Sequence, residues 1–246
     1  MQVGSASHRC LGDFVKHLRA ILCGLLFFAP ALAAQTISPV IVEYREKAAG
    51  RFQIHNDADV PLTVVLEPRS FQVDSNGKPT FGPLAPEIHL ELSSMSFRIQ
   101  PKQDYYIFYK ASAETLPSWF CIYANITGPH TQEGIQVRLE LPHTVYLLGK
   151  KPMTAADVTW MSALAVSGKD SRKIEAEVEN RGADVSRVRE IEVTSASGKQ
   201  VYEGFPLFPG QQRKIELDWN QPGEPQRIQL KFDRFKVETD LREQNP

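Results

Sequence analysis

From residue 36 to the end, no stretch keeps a 3.6-residue apolar period over three turns. Short runs instead alternate apolar and polar residues and stop at Gly, Pro, Asn and Asp. A chain so patterned cannot bury a helical stripe, but it can bury one face of many short strands. Gly50-Arg51-Phe52-Gln53-Ile54-His55-Asn56 alternates and ends at Asn56-Asp57. Leu62 to Leu66 follows Pro61, and Asn76-Gly77 inside Asp74 to Lys78 is a hairpin signal. Val40 to Tyr44, Phe97 to Ile99, Gln103 to Ala111, Phe120 to Ile126 and Ile135 to Leu148 complete about seven or eight strands in roughly 115 residues, the density of an all-β sandwich. After Lys150-Lys151-Pro152 a second set begins. It includes Lys173 to Glu179, Glu190 to Thr194, Arg213 to Trp219 and Arg227 to Phe232. The expectation is all-β, with two immunoglobulin-like β-sandwich domains, 34–151 and 152–246. The halves also echo one another. His55-Asn56-Asp57-Ala58-Asp59-Val60 matches Glu179-Asn180-Arg181-Gly182-Ala183-Asp184-Val185, and Pro101-Lys102-Gln103 matches Pro209-Gly210-Gln211.

Residues 1–33 read as a cleavable export signal. Arg9, Lys16, His17 and Arg19 precede the apolar run Ala20 to Ala29, and Pro30 and the small-x-small Ala31-Leu32-Ala33 follow. The run is shorter than the roughly 20 residues that span a bilayer, so no stable membrane insertion is expected after cleavage. Removing it takes away Cys10 and Cys23 and leaves Cys121 alone in Trp119-Phe120-Cys121-Ile122-Tyr123, a buried thiol with no disulfide partner. The chain has 28 Lys+Arg against 29 Asp+Glu. Three of those bases and one acid lie in the first 33 positions, leaving 25 against 28. Such a balance gives no electrostatic reason to bind nucleic acid.

Chemistry-bearing patterns are sparse. His55, His89, His130 and His143 have no Cys or His partner at metal-ligand spacing, and there is no phosphate loop and no nucleophile elbow. Glu175, Glu177 and Glu179 read as a solvated strand face rather than acid/base groups. No catalytic residue, metal or cofactor is expected. Trp160 and Trp219, as sugar platforms, mark the competing reading of a carbohydrate-binding module, although such residues more often fill cores or interfaces.

The informative segment is Gly134 to Lys151, where Ile135, Val137, Leu139 and Leu141 alternate with Gln136, Arg138 and Glu140. One reading is a row of the chain's own core. The other is an edge strand lent to a partner with an incomplete sheet, with backbone bonds giving affinity and side chains filling pockets. The order of features resembles the PapD-like periplasmic pilus-assembly chaperones. The shared features are an early strand after the signal, an alternating strand ending in Asn56, and a Pro-x-x strand start at Pro101-Lys102-Gln103. Leu116-Pro117 before an aromatic strand and a late alternating strand running through basic residues and a proline into a second sandwich complete them.

The resemblance implies a non-enzymatic periplasmic chaperone for pilus or surface-fibre subunits, acting with an outer-membrane usher. Ile135, Val137, Leu139 and Leu141 would then be the groove-filling residues. It also implies a carboxylate anchor made by an Arg in the first strand and a Lys late in the alternating one. Here those places fall on Glu43 and Tyr146, with Arg45, Lys150 and Lys151 nearby as substitutes. The alternative is a structural or adaptor component of a surface assembly that keeps its partner. An exposed aliphatic edge also allows self-association.

Overall fold

The computed structural model describes residues 35–128, 138–167 and 172–244. The expected export signal, and Ile135 and Val137 of the alternating row, lie outside the described residues.

The first sandwich has two sheets. One runs in the order β1 (Thr36–Ser38), β3 (Lys47–His55), β8 (Asp104–Ala113), β6 (Ile88–Leu92). The other runs β2 (Ile41–Arg45), β10 (Arg138–Leu148), β9 (Ser118–Thr127), β4 (Leu62–Val73), β5 (Pro79–Pro83), with β7 (Ser96–Ile99) also on β4. Between them lies a core that includes Phe52, Ile54, Val64, Ile107, Phe120 and Val145. A core side chain of this size contributes about 1.5–3 kcal/mol on burial, which is how the fold holds without a disulfide. The expected strand Val40 to Tyr44 falls on β2, and a short strand the sequence did not announce precedes it in the other sheet. Thr36–Ser38 pairs with β3, the chain crosses at Pro39, and Ile41–Arg45 lies parallel to β10. Proline has no N–H with which to continue a ladder, so the switch falls there.

The apolar run of β9 does not alternate because both of its faces are covered. Phe120, Ile122 and Ala124 face the first core, while Cys121, with Trp119 and Tyr123 beside it, belongs to a third cluster shared with the second sandwich. Burial pushes the Cys121 thiol up to about 11, so it stays protonated and inert near neutral pH.

The second sandwich packs the sheet β17 (Gln212–Trp219), β12 (Arg172–Asn180), β11 (Val158–Ser167), β20 (Arg242–Gln244) against β15 (Lys199–Glu203), β14 (Glu190–Ser195), β18 (Pro225–Lys231), β19 (Lys236–Asp240). The short pair β13 (Ser186–Arg187) and β16 (Pro206–Leu207) stands apart from both. Its core holds Ile174, Val178, Val193, Trp219, Ile228 and Leu230, so Trp219 is an interior residue. Trp160 packs against the same core.

Within each sandwich the two echoed segments meet in space. In the first sandwich Asn56 is fully buried. Its amide donates to the carbonyls of Val60, Ile99 and Gln100, and its oxygen accepts from Ala58 N–H. In the second, Asn180 donates to Asp184 and Leu207 carbonyls and accepts from Gly182 N–H. The main-chain N–H of each asparagine binds the last residue of the matching Pro-x-Gln turn, Gln103 in one and Gln211 in the other. The middle residue of each turn has positive φ, 57° at Lys102 and 67° at Gly210. The repeat in the sequence is therefore one loop device used twice, in which a side-chain amide satisfies buried carbonyls that no strand reaches.

Candidate functional site

β10 is paired on both flanks along only part of its length. β9 covers Arg138 to Leu147, whereas β2 begins opposite Thr144 and covers Thr144 to Leu148. Over Arg138 to His143 the second flank has no strand partner among the described residues. Leu139 and Leu141 are half-buried and lean on the margin of the first core, while Arg138 and Glu140, on the opposite face, are exposed. The open half of β10 thus presents free backbone groups beside two aliphatic side chains that remain partly in contact with water.

His143 is the last residue before the covered half, which begins at Thr144. His143 is fully buried and stacks on Phe52, with ring centroids 4.5 Å apart. Its Nδ1 lies 2.7 Å from the Pro39 carbonyl, an acceptor, so Nδ1 carries the proton. Nε2 is then left to accept from the Tyr109 hydroxyl at 3.1 Å, and the Tyr44 hydroxyl sits 3.3 Å farther on. This chain ties β10 to the crossover between β1 and β2. Burial holds the imidazole down at about 4, against 6.5 when free. A group depressed in the folded state contributes its full stability above about pH 6.5 and loses it as pH falls toward 4. A shift of that size corresponds to roughly 3 kcal/mol. Urea midpoints measured from pH 7 to pH 4.5 are expected to fall faster for the native chain than for His143→Gln. Parallel slopes would remove this residue from the acid response.

Beyond His143, the outer face of the sheet meets the second sandwich. Phe71, Tyr146 and Trp119 pack around Phe208, with ring centroids of 6.3 Å to Phe71 and 4.5 Å to Trp119. The four candidate anchor positions lie in or near this junction. Glu43 and Tyr146 are direct neighbours across the parallel pair. Glu43 is engaged by Arg189 of the second sandwich at 3.3 Å, and Arg189 also grips Asp233 through Nε and Nη2 at 2.7 and 2.6 Å. That guanidinium holds the Asp233 carboxyl below the usual carboxylate range. Tyr146 is buried, which pushes its phenol up to about 12. Arg45 binds the Gly149 carbonyl and, at 3.2 Å, the buried Asp184, while Lys150 reaches Glu46 at 3.5 Å. A cleft of about 240 Å³ opens beside Glu43, Arg45, Ser186 and Arg234. Sequence reasoning did not single out Arg189, or Arg187, whose charge reaches the Tyr146 phenol. Both lie far from β2 in the chain, and only the packing of the two sandwiches brings them there.

On the other side of the junction the β4–β5 hairpin is strapped to β17. Gln211 Nε2 donates to the Val73 and Asp74 carbonyls at 3.0 Å, and Lys214 N–H donates to the Ser75 carbonyl at 2.9 Å. Gly77 turns with φ 85°, and a Cβ there would overlap the guanidinium of Arg213. Gly77→Ala is expected to cost about 1–2 kcal/mol for the backbone alone, plus the displacement of Arg213. The same change made beside Arg213→Ala should cost only the backbone part, as thermal melts of the four proteins would show. Among the described residues no group of three or more His, Cys, Asp or Glu is placed to hold a metal ion, and no helix is long and apolar enough to cross a membrane.

No family model and no curated relative matches this chain. Solved structures do. The class 5 fimbriae chaperone CfaA matches at 9% identity with a TM-score of 0.51, covering 85% of this chain and 99% of its own. The chaperone YadV matches at 13% identity with a TM-score of 0.52, covering 84% and 99%. A chain of the Salmonella enterica SafA pilin–SafB chaperone complex matches at 13% identity with a TM-score of 0.54, covering 87% and 99%. The chain has the PapD-like chaperone fold. Because the likeness spans nearly the whole length of each matched chain, the PapD-like fold here includes both sandwiches.

Proposed function

We propose that this protein is a non-enzymatic periplasmic chaperone that caps subunits of a pilus or other surface fibre by lending them the open half of β10. The observation that carries the reading is the half-open edge: from Arg138 to His143 the second flank of β10 has no strand partner among the described residues, beside the half-buried Leu139 and Leu141. A subunit lacking one strand of its own sandwich offers the complement, an open edge above an apolar groove. Ile135, Val137, Leu139 and Leu141 are the groove-filling row in this proposal, and an outer-membrane usher is the acceptor that receives the subunit. The fold shared with fimbrial chaperones supports the same reading.

The anchoring of a subunit's terminal carboxylate takes an altered form in this proposal. Glu43 repels a carboxylate and is held by Arg189, and the Tyr146 phenol is buried. Arg45 and Lys150 carry the right charge but already have acidic partners in Asp184 and Glu46. A carboxylate that binds Arg45 or Lys150 must displace one of these acids, so in this proposal the strand and its aliphatic row supply most of the affinity. The test is to isolate the tagged protein from the periplasm of cells that make it, together with the fibres those cells assemble. The expected result is a one-to-one complex with an immunoglobulin-like subunit in the periplasm and none of this chain in finished fibres. Its presence in the fibre would establish the alternative, a structural component that stays.

A further inference from the structure

The direction of every backbone group on β10 follows from two hydrogen bonds. Thr144 N–H donates to the Val40 carbonyl, and the Leu148 carbonyl accepts from Glu46 N–H. Both bonds point to the β2 side, so even-numbered residues of β10 turn their backbone groups outward and odd-numbered ones turn toward β9. On the open half the outward residues are Arg138, Glu140 and Pro142. All of them offer a carbonyl, but Pro142 has no N–H to offer. The proline stands at the inner end of the free edge, in the last outward position before β2 takes over at Thr144.

We infer that Pro142 decides what can pair with this edge: it disfavours a second copy of the same chain and tolerates a different partner. The inference rests on the reading of the open half as a pairing surface. Two copies joined edge to edge about a two-fold axis use the same groups twice, so the missing donor is missed in both chains. A heterologous strand meets the gap once and recovers the loss through the side chains it buries. Other free edges carry blocks of the same kind. β5 is bounded by Pro79 and Pro83, and β19 presents Lys236, Glu238 and Asp240. On β10 the block is a single backbone position, which leaves the aliphatic row untouched.

The experiment needs no subunit, so its failure is distinct from a failure of the chaperone reading. Sedimentation equilibrium of the purified native chain, Pro142→Thr and Pro142→Ala would be read over a hundredfold concentration range, with thermal melts to confirm folding. A restored donor is worth about tenfold in association, hence roughly a hundredfold for a symmetric pair. Both variants are expected to dimerise at about a hundredfold lower concentration than the native chain. Moving the proline two residues along, to the next outward-facing position, in Pro142→Thr with Glu140→Pro, should return association to the native level. Unchanged association in both single variants would overturn the inference. So would association that persists when the proline is moved, because it would then lie elsewhere on the molecule.

Discussion

Leu139→Asp is expected to abolish subunit capture while leaving the protein folded. Leu139 is half-buried at the margin of the first core, and the residue opposite it on β9 is Ile126. A carboxylate at that margin can turn to water, so the cost to the free protein is about 1 kcal/mol. In a complex the same side chain would enter an apolar groove closed to solvent. Burying an unpaired carboxylate there, together with losing the leucine contact, corresponds to at least about 4 kcal/mol, or roughly a thousandfold in affinity. The measurement is recovery of the subunit that the native chain carries, beside a thermal melt of each protein. If the aspartate variant melts normally and still carries that subunit, β10 is not the strand that is lent.

Asn180→Ala is expected to be strongly destabilising although it touches neither hydrophobic core. The substitution removes the bonds to Asp184 and Leu207 carbonyls at 2.9 and 3.1 Å and the acceptor for Gly182 N–H at 2.8 Å. The asparagine has no exposed surface, so water cannot replace it in the folded state. At about 1 kcal/mol for each bond lost, the cost is roughly 3 kcal/mol. For a chain of this size that lowers the melting temperature by roughly 6–12 °C. Asn56→Ala should have a similar effect on the first sandwich, where the same kind of loop is held by the same kind of amide. Calorimetry of both variants checks the equivalence. A change of less than 2 °C in either would show that the loop tolerates an empty centre.

Much of the fold was legible because a strand buried on one face advertises itself. Ile174, Ala176 and Val178 alternate with glutamates, and these three are interior residues of β12. The Asn-Gly signal lies in the hairpin between β4 and β5, with Gly77 at positive φ. The echo of Asn56 in Asn180 marked a loop whose purpose is local hydrogen bonding, and such purposes are written in neighbouring residues. The candidate site was less legible. Pro142 and His143 sit in plain view within an alternating run, but the pattern says only which face each side chain takes. It does not say which flank of the strand is covered. The ion pairs that occupy Glu43 and Arg45 involve Arg189 and Asp184, more than a hundred residues away, and no local pattern announces them.

The order of polar and apolar residues was enough to require an all-β chain of two sandwiches, because alternation and turn chemistry act between near neighbours. Which half of β10 stays open, and which charges meet at the junction, was settled only when distant strands packed. Edge exposure depends on where β2 crosses to the second sheet and stops. Charge pairing depends on two surfaces brought together by the burial of Phe71, Tyr146 and Phe208. Both are properties of contacts between segments far apart in the chain, and a linear pattern carries no term for them.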